Sequence, residues 1–408
     1  MNSQSPLTTT ELIAEGVRCY LPNYQPREII LDHGKGSRLW DRDGKEYIDL
    51  GAGIAVNSLG HANPDLLAAL HSQAEKLWHT TNIYYTEPAI LLAQELVEAT
   101  FADQVFFCNS GAEANEAAIK LARKRASTSS PPEQREIITF SGSFHGRTLA
   151  TVTATAQPKY HEGFEPLPAG FRYCPFNDFE AVTSLFNDNV CAVLVEPIQG
   201  EGGVTPAAPG FLSHLRSLCD QHNALLIYDE VQCGMGRTGR LFAHQWEAEA
   251  QPDVMAIAKA LGCGFPIGAL LVAGEATQAL PFGSHGSTFG GNPLATAVAR
   301  VALKKINSPS LLANVLHQGE RLKSGLQRLN ERYSLFSEIR GRGLMIGAQL
   351  CDSHSGQAGV LTEACRQQGV LILQAGPDVL RFLPALNINQ TDIDEGVDRI
   401  EVALKPFQ

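Results

Sequence analysis

A lysine closes the apolar run "VMAIAK" at residues 254–259, and a glycine-rich loop, "ALGCGFPIG", follows it. Lysine is rarely buried unless it is paired or used, so Lys259 is either an ordinary surface residue or a reactive amine. A second run, "ALLIYDE", ends on Asp229 and Glu230. A carboxylate at such a position is partly buried and needs a positive partner or a role. A third run, "QVFFCN", leads into Ser110-Gly111-Ala112 and the helical pattern "EANEAAIKLARK". Ser110 and Glu113 have the spacing of a capping box. A turn of small residues at a helix start offers backbone N–H groups to an anion, and an ordinary capped helix has the same signature. "CAVLVEPIQGEGG" ends with Glu196, Gln199 and Glu201, which alone read as solvated surface. Gly234–Gly239 match GxGxxG, but "DEVQC" separates them from the strand and no clear helix follows. That argues against a dinucleotide site.

These residues need elements to position them. Six short apolar runs, including "EIITF" and "GALLVAG", alternate with helical patterns such as "PGFLSHLRSLCDQHN". Continuous apolar strands separated by helices predict an α/β domain with a mostly parallel central sheet. In such sheets ligands bind beyond the carboxyl ends of the strands, where Lys259, Asp229 and the 110–112 turn would lie. Residues 37–50 read as a hairpin turning at Asp43-Gly44. Asn63 and Pro64 open a helix as cap and first residue. After about residue 305 the pattern becomes one long helix and then short strands, "LMIGAQL", "VLILQAG" and "VLRFLPAL". The expected division is an N-terminal segment, 1–60, packing with a C-terminal small α/β domain, 306–408. A large cofactor-binding domain, 61–305, lies between them. "ASTSSPPEQ", 126–134, reads as a polar surface loop.

The chain has 408 residues, 44% of them hydrophobic, and a net charge of −11 without a Lys/Arg block. That balance excludes nucleic acid and anionic membrane as expected partners. Anionic substrates would have to be held by local arginines against the overall field. No apolar stretch approaches spanning length. Nine scattered cysteines without a CxxC suit reduced thiols in a cytoplasmic protein. The opening "MNSQSPLTTTELIAEG" has neither the basic nor the apolar region of a secretory signal. No metal site is expected.

An amine, a carboxylate and an anion-binding turn in one sheet suit pyridoxal phosphate. That cofactor needs a lysine to hold it as a Schiff base, a carboxylate opposite its pyridinium nitrogen, and a phosphate site. The lysine must be uncharged to react, which desolvation favours.

The ordered motifs then resemble one family. "GSRLWDRDGKEYIDLGAGIAVNSLGH", "FFCNSGAEANEAAIKLAR", "SFHGRT", "VEPIQGEGG", "DEVQCGMGRTG", "AKALGCGFPIGA", "STFGGNPLA" and "RFLPAL" are similar to class III aminotransferases, from about residue 18 to 400. This is the family of ornithine, 4-aminobutyrate and acetylornithine aminotransferases. Within it, the acetylornithine and succinylornithine branch is most similar. The resemblance implies the pyridoxal-phosphate-dependent transferase fold (fold type I) and a homodimer with shared active sites. It implies Lys259 as covalent anchor and as general base and acid, with Asp229 on the pyridinium nitrogen and Gln232 on the phenolic oxygen. Gly111 and Ala112 would bind the phosphate, Phe144 would stack on the ring, and Thr288 would reach the phosphate in the neighbouring subunit. Arg147 would hold the substrate's distal carboxylate, and Ser287 and Tyr24 would line the substrate site. Arg381 would bind the α-carboxylate of glutamate or 2-oxoglutarate, with Glu201 as its partner when an acylornithine is bound.

The implied reaction converts N2-acetyl-L-ornithine and 2-oxoglutarate to N-acetyl-L-glutamate 5-semialdehyde and L-glutamate, in arginine metabolism. Succinylornithine, N-succinyl-diaminopimelate, ornithine and 4-aminobutyrate are alternative amine donors. A pyridoxal-phosphate isomerase would not need the Glu201–Arg381 pair, and a non-catalytic scaffold would not need Lys259, Asp229 and Gln232 together. There are departures from the family pattern. Ala112 replaces a common threonine, and Ile54 stands where ornithine aminotransferases tend to have an aromatic residue. Cys233 and Cys263 replace small residues and are expected to act as fillers.

Overall fold

A computed structural model describes residues 7–128, 130–132 and 135–407. Most of the polar 126–134 stretch falls inside that range, but Ser129, Glu133 and Gln134 lie outside it, as do residues 1–6 of the opening segment. The central sheet has seven strands: β1 (Gln104–Cys108), β2 (Glu136–Phe140), β3 (Phe171–Cys174), β4 (Val190–Val195), β5 (Leu225–Asp229), β6 (Val254–Ile257) and β7 (Gly268–Val272). Their order is β1-β7-β6-β5-β4-β2-β3. All run parallel except β7, which is antiparallel to β1 and β6. Every residue of β4, β5, β6 and β7 is buried, which is why they read as unbroken apolar runs. The strand that the sequence does not announce is β3. It sits at the edge with Tyr173 exposed, so "FRYC" carries no apolar run.

The helix Gly111–Ala126 packs on the sheet through Ala114, Ala117, Ala118 and Leu121. Its cap differs from the expected box. Ser110 Oγ accepts from the Glu113 N–H at 3.2 Å, but the Glu113 carboxylate reaches back to the Asn109 N–H rather than that of Ser110. The 37–50 hairpin forms with strands Arg38–Asp41 and Glu46–Asp49, and a further strand, Leu31–Lys35, extends it. Asp41 Oδ1 fixes the turn by accepting from the N–H groups of Asp43 and Lys45, at 3.1 and 2.8 Å. Strand Glu46–Asp49 pairs in parallel with Val370–Leu371, joining the N-terminal segment to the C-terminal one.

The C-terminal region builds an antiparallel sheet from Phe336–Arg342, Met345–Leu350, Val379–Phe382 and Leu373–Gln374. Arg381 lies opposite Gly347 in it. A Cβ on Gly347 would stand 2.8 Å from Val204 Cβ, so the glycine lets the Glu201–Val204 loop press onto this sheet.

The GxGxxG match forms a run of turns, not a nucleotide loop, and its arginine has a structural use. Arg237 is only 1% exposed and has no carboxylate partner among the described residues. Its guanidinium donates to the carbonyls of Leu344 (3.1 Å) and Pro384 and to Ser58 Oγ (3.0 Å), tying three separated segments together. Arg237→Met would leave those buried acceptors unpaired. A loss of roughly 3 kcal/mol is expected in urea unfolding. An unchanged midpoint would show that the clamp contributes nothing.

Candidate active site

Loops from five strands converge at the carboxyl edge of the sheet around a cavity of about 430 Å³, within the range of small-molecule sites. Asp229 ends β5 level with Ala256 of β6, and Lys259 comes three residues later. Both line the cavity, together with Gly111, Ala112, Phe144, Arg147 and Gln232.

Lys259 holds a left-handed backbone, φ +46°, at the start of the short helical turn Lys259–Leu261. A non-glycine residue in that conformation carries strain of roughly 1–2 kcal/mol and keeps it where the surroundings enforce it. Burial pushes the ammonium down to a pKa of about 8, with Glu201 opposing the shift and Arg381 reinforcing it. This lysine faces the cavity, and burial favours its uncharged form.

Asp229 is 3% exposed and accepts from three donors. Its Oδ2 lies 2.7 Å from Asn115 Nδ2 and 2.8 Å from His145 Nδ1, and its Oδ1 accepts from the Val231 N–H at 3.0 Å. Neither Asn115 nor His145 was singled out from the sequence. His145 lies inside "SFHGRT", between Phe144 and Arg147. Asn115 falls one helical turn after Gly111, facing the same way. Asn115 Nδ2 also donates to the His145 carbonyl at 2.9 Å, which closes the network. His145 Nε2, Asn115 Oδ1 and Arg381 Nε are buried without partners among the described residues.

Glu196 corrects the surface reading of its loop. It is 4% exposed and caps two backbone N–H groups, of Phe144 at 2.9 Å and Gly200 at 3.1 Å. Burial holds its carboxyl above the usual range; His145 opposes that shift and Asp229 adds to it. Gln199 is buried too. Glu201 meets Arg381 in an ion pair, and Arg381 also donates to Gln232 Oε1 at 3.1 Å. Burial raises the Glu201 carboxyl, but Arg381, with Lys259 and Gln232, more than offsets it, so the net shift is downward. Arg381 itself is buried, which makes Glu201 its electrostatic counterpart.

Glycines shape the floor. A Cβ at Gly111 would meet Val231 at 2.7 Å, and one at Gly200 would overlap the Gln232 amide at 2.4 Å. Gly111 and Ala112 are the first two residues of their helix, so their N–H groups have no intrahelical acceptor. Arg147 is exposed at the mouth, its guanidinium 4.0 Å from the Tyr160 ring centre and 5.4 Å from that of Phe144. It has no carboxylate partner among the described residues.

Three sequence-expected residues lie elsewhere. Ser287 and Thr288 line a neighbouring hollow with His79, Thr81 and Asn82. Ser287 Oγ touches the main site through Asn109 Nδ2, at 3.1 Å. Tyr24 is exposed and does not line the cavity. Cys233 and Cys263 are buried, and burial raises both thiols, so they stay protonated. Ile54 is 40% exposed. No His/Cys/Asp/Glu group among the described residues could hold a metal ion.

Residues 19–404 match the family model described as Aminotransferase class-III. An acetylornithine aminotransferase of Xanthomonas axonopodis pv. citri is 59% identical over 95% of this chain and 96% of its own length. A succinylornithine transaminase/acetylornithine aminotransferase of Pseudomonas aeruginosa is 52% identical over 95% of both chains. Among solved structures, the N-acetylornithine aminotransferase of Stenotrophomonas maltophilia aligns with a TM-score of 0.84 at 51% identity, covering 94% of this chain and 97% of that one.

Proposed function

Since the chain belongs to the class III aminotransferases, we propose that it moves the terminal amine of N2-acetyl-L-ornithine onto 2-oxoglutarate, giving N-acetyl-L-glutamate 5-semialdehyde and L-glutamate. It is a pyridoxal-phosphate-dependent aminotransferase. The residues present fit that cofactor: a buried amine of lowered pKa, a buried carboxylate across the cavity, and a helix start with free N–H groups. When bound, pyridoxal phosphate supplies an electron sink for the carbon that loses its proton.

The chain's own residues do the rest. Lys259 would hold the cofactor covalently, and its uncharged amine would take the proton from the substrate's amine-bearing carbon and return one. Asp229, kept in place by His145 and Asn115, would present a negative charge to the ring nitrogen. Gln232 would bond the phenolic oxygen, Phe144 would cover the ring, and Gly111 and Ala112 would donate to the phosphate. Arg147, with no carboxylate partner among the described residues, would take the substrate carboxylate farthest from the reacting carbon. Ser287 and Tyr24 extend the substrate site in the assembled protein.

The observation that carries this reading is the Glu201–Arg381 pair beside Lys259. Glutamate has a carboxylate next to its reacting carbon, and acylornithine has none there. Arg381 therefore needs an internal partner for one substrate and must release it for the other. Glu201→Gln would leave Arg381 buried and unpaired whenever acylornithine is bound, a cost of roughly 3 kcal/mol. A fall of about 100-fold in kcat/KM for acetylornithine is expected, with 2-oxoglutarate binding unchanged or tighter. An equal loss for both substrates would refute the switch.

The acyl chain is the finer point. The Pseudomonas relative carries both acetyl and succinyl names, and Arg147 stands free at the cavity mouth. Succinylornithine is thus the second donor to test, by kcat/KM across an acyl-donor panel. We also place the enzyme as a homodimer. Trp78, Ile83, Tyr84 and Tyr85 are exposed, as is Phe289, whose ring lies 5.1 Å from that of His79. This apolar patch borders the hollow holding Thr288, which would face the phosphate of the second copy. A cytoplasmic setting is supported by seven buried free thiols; no helix among the described residues is long and apolar enough to cross a membrane. A biosynthetic role in making arginine is supported by the acetylornithine relatives.

A further inference from the structure

A second cluster of reactive side chains lies outside the cavity lining. Cys351 directly follows strand Met345–Leu350 at the surface of the C-terminal region. Its Sγ is 3.3 Å from His354 Nδ1 and 3.3 Å from the Ser334 carbonyl, which accepts from the resting thiol. The other ring nitrogen of His354, Nε2, is 2.8 Å from the Phe407 carbonyl in the last turn of the chain. A carbonyl can only accept, so Nε2 carries a hydrogen and Nδ1 is the basic nitrogen turned toward the thiol. Ser353 Oγ sits between them, 3.1 Å from Sγ and 2.9 Å from Nδ1. This is a nucleophile, a base within reach of it, and a third group from a separate element that orients the base.

We propose that Cys351 is a thiol-modification site, with His354 as its base, that exchanges with low-molecular-weight disulfides. Cys351 Sγ gives its proton to His354 Nδ1 and attacks one sulfur of the disulfide. A new S–S bond forms, the old one breaks, and the departing thiolate takes the proton from the imidazolium. No other oxidant is required, since the disulfide is itself reduced as Cys351 is oxidised.

Hydrogen bonds from Ser353 and His354 pull the Cys351 thiol below its ordinary value, and the thiol in turn raises His354. The charged residues on the elements around the cluster are Asp352, next in the chain, Asp378, which accepts from Ser355 Oγ at 2.9 Å, and Lys405, in the turn whose Phe407 carbonyl meets His354. Seven of the remaining cysteines are buried, and Cys19 is exposed with no such base among the described residues. Cys19 is therefore an internal control. Cys351 does not line the cavity, so modification there marks the protein without stopping turnover.

The test treats the native holoenzyme with glutathione disulfide at pH 7 and follows Cys351 and Cys19 by peptide mass mapping. Cys351 is expected to react at least about tenfold faster than Cys19. In His354→Gln the Cys351 rate should fall about tenfold and its pH profile should move up to that of an ordinary thiol, with Cys19 and transaminase activity unchanged. Because His354→Gln alone could disturb the last turn, Ser353→Ala is measured beside it and should keep a rate above that of Cys19. Equal rates for Cys351 and Cys19, or a His354→Gln profile identical to the native one, would overturn the proposal.

Discussion

Lys259→Ala is expected to lower turnover by at least about 10⁴-fold, because one substitution removes both the covalent anchor and the base. Two readouts separate these losses. Borohydride reduction of the native holoenzyme should fix pyridoxal phosphate on the peptide containing Lys259, and the variant should return an unlabelled chain. Added methylamine should then restore part of the proton transfer to the variant, without restoring covalent attachment. The pH dependence has a definite sign. Burial lowers the folded amine from its ordinary 10.5 to about 8, so the uncharged form gains population as pH rises through 8. Capture of added pyridoxal phosphate by the cofactor-free chain should therefore accelerate between about pH 7 and 9, not between 10 and 11. A variant with native turnover would remove Lys259 from the chemistry.

Asp229→Ala carries the second largest effect, a fall in kcat of about 10³-fold. The carboxylate sits at the end of a fully buried strand with three donors aimed at it: His145, Asn115 and the Val231 N–H. Removing it takes away the negative charge that would face the ring nitrogen and leaves two buried donors without their acceptor. The second consequence belongs to stability, so the melting temperature must be read beside activity. The account expects single-turnover rates with either substrate to fall together, since the ring nitrogen is common to both half-reactions. If only one half-reaction slowed, Asp229 would act on a substrate and not on the cofactor. Asp229→Glu would retain the charge but crowd His145, and should recover only part of the rate.

The fold was legible where burial is uniform. The inner strands β4 to β7 read as apolar runs because both faces are covered, and the Asp43-Gly44 turn and the Asn63 cap act through local chemistry. Edge strand β3 and the Leu31–Lys35 strand have exposed positions that erase the pattern. The reversal of β7 could not be read, since a buried antiparallel strand has the same composition as a parallel one. In the site, Lys259 and Asp229 stood out because a charge at the end of an apolar run is costly. His145, Asn115 and Glu196 did not, because their roles depend on partners that are distant in the chain. Arg237 was hidden by its loop: the glycines suggested a phosphate cradle, while its guanidinium binds two backbone carbonyls and a serine. Family motifs supplied Arg381 and Glu201, which spacing alone would have left on the surface.

The most direct test of the account is the amino-group balance of one reaction. The purified holoenzyme is given N2-acetyl-L-ornithine labelled with ¹⁵N at its terminal amine, with and without 2-oxoglutarate, and the products are read by mass spectrometry. The account predicts labelled glutamate and N-acetylglutamate 5-semialdehyde in equal amounts, with sustained turnover only when both substrates are present. Sustained consumption of acetylornithine without 2-oxoglutarate, or glutamate that carries no label, would contradict it.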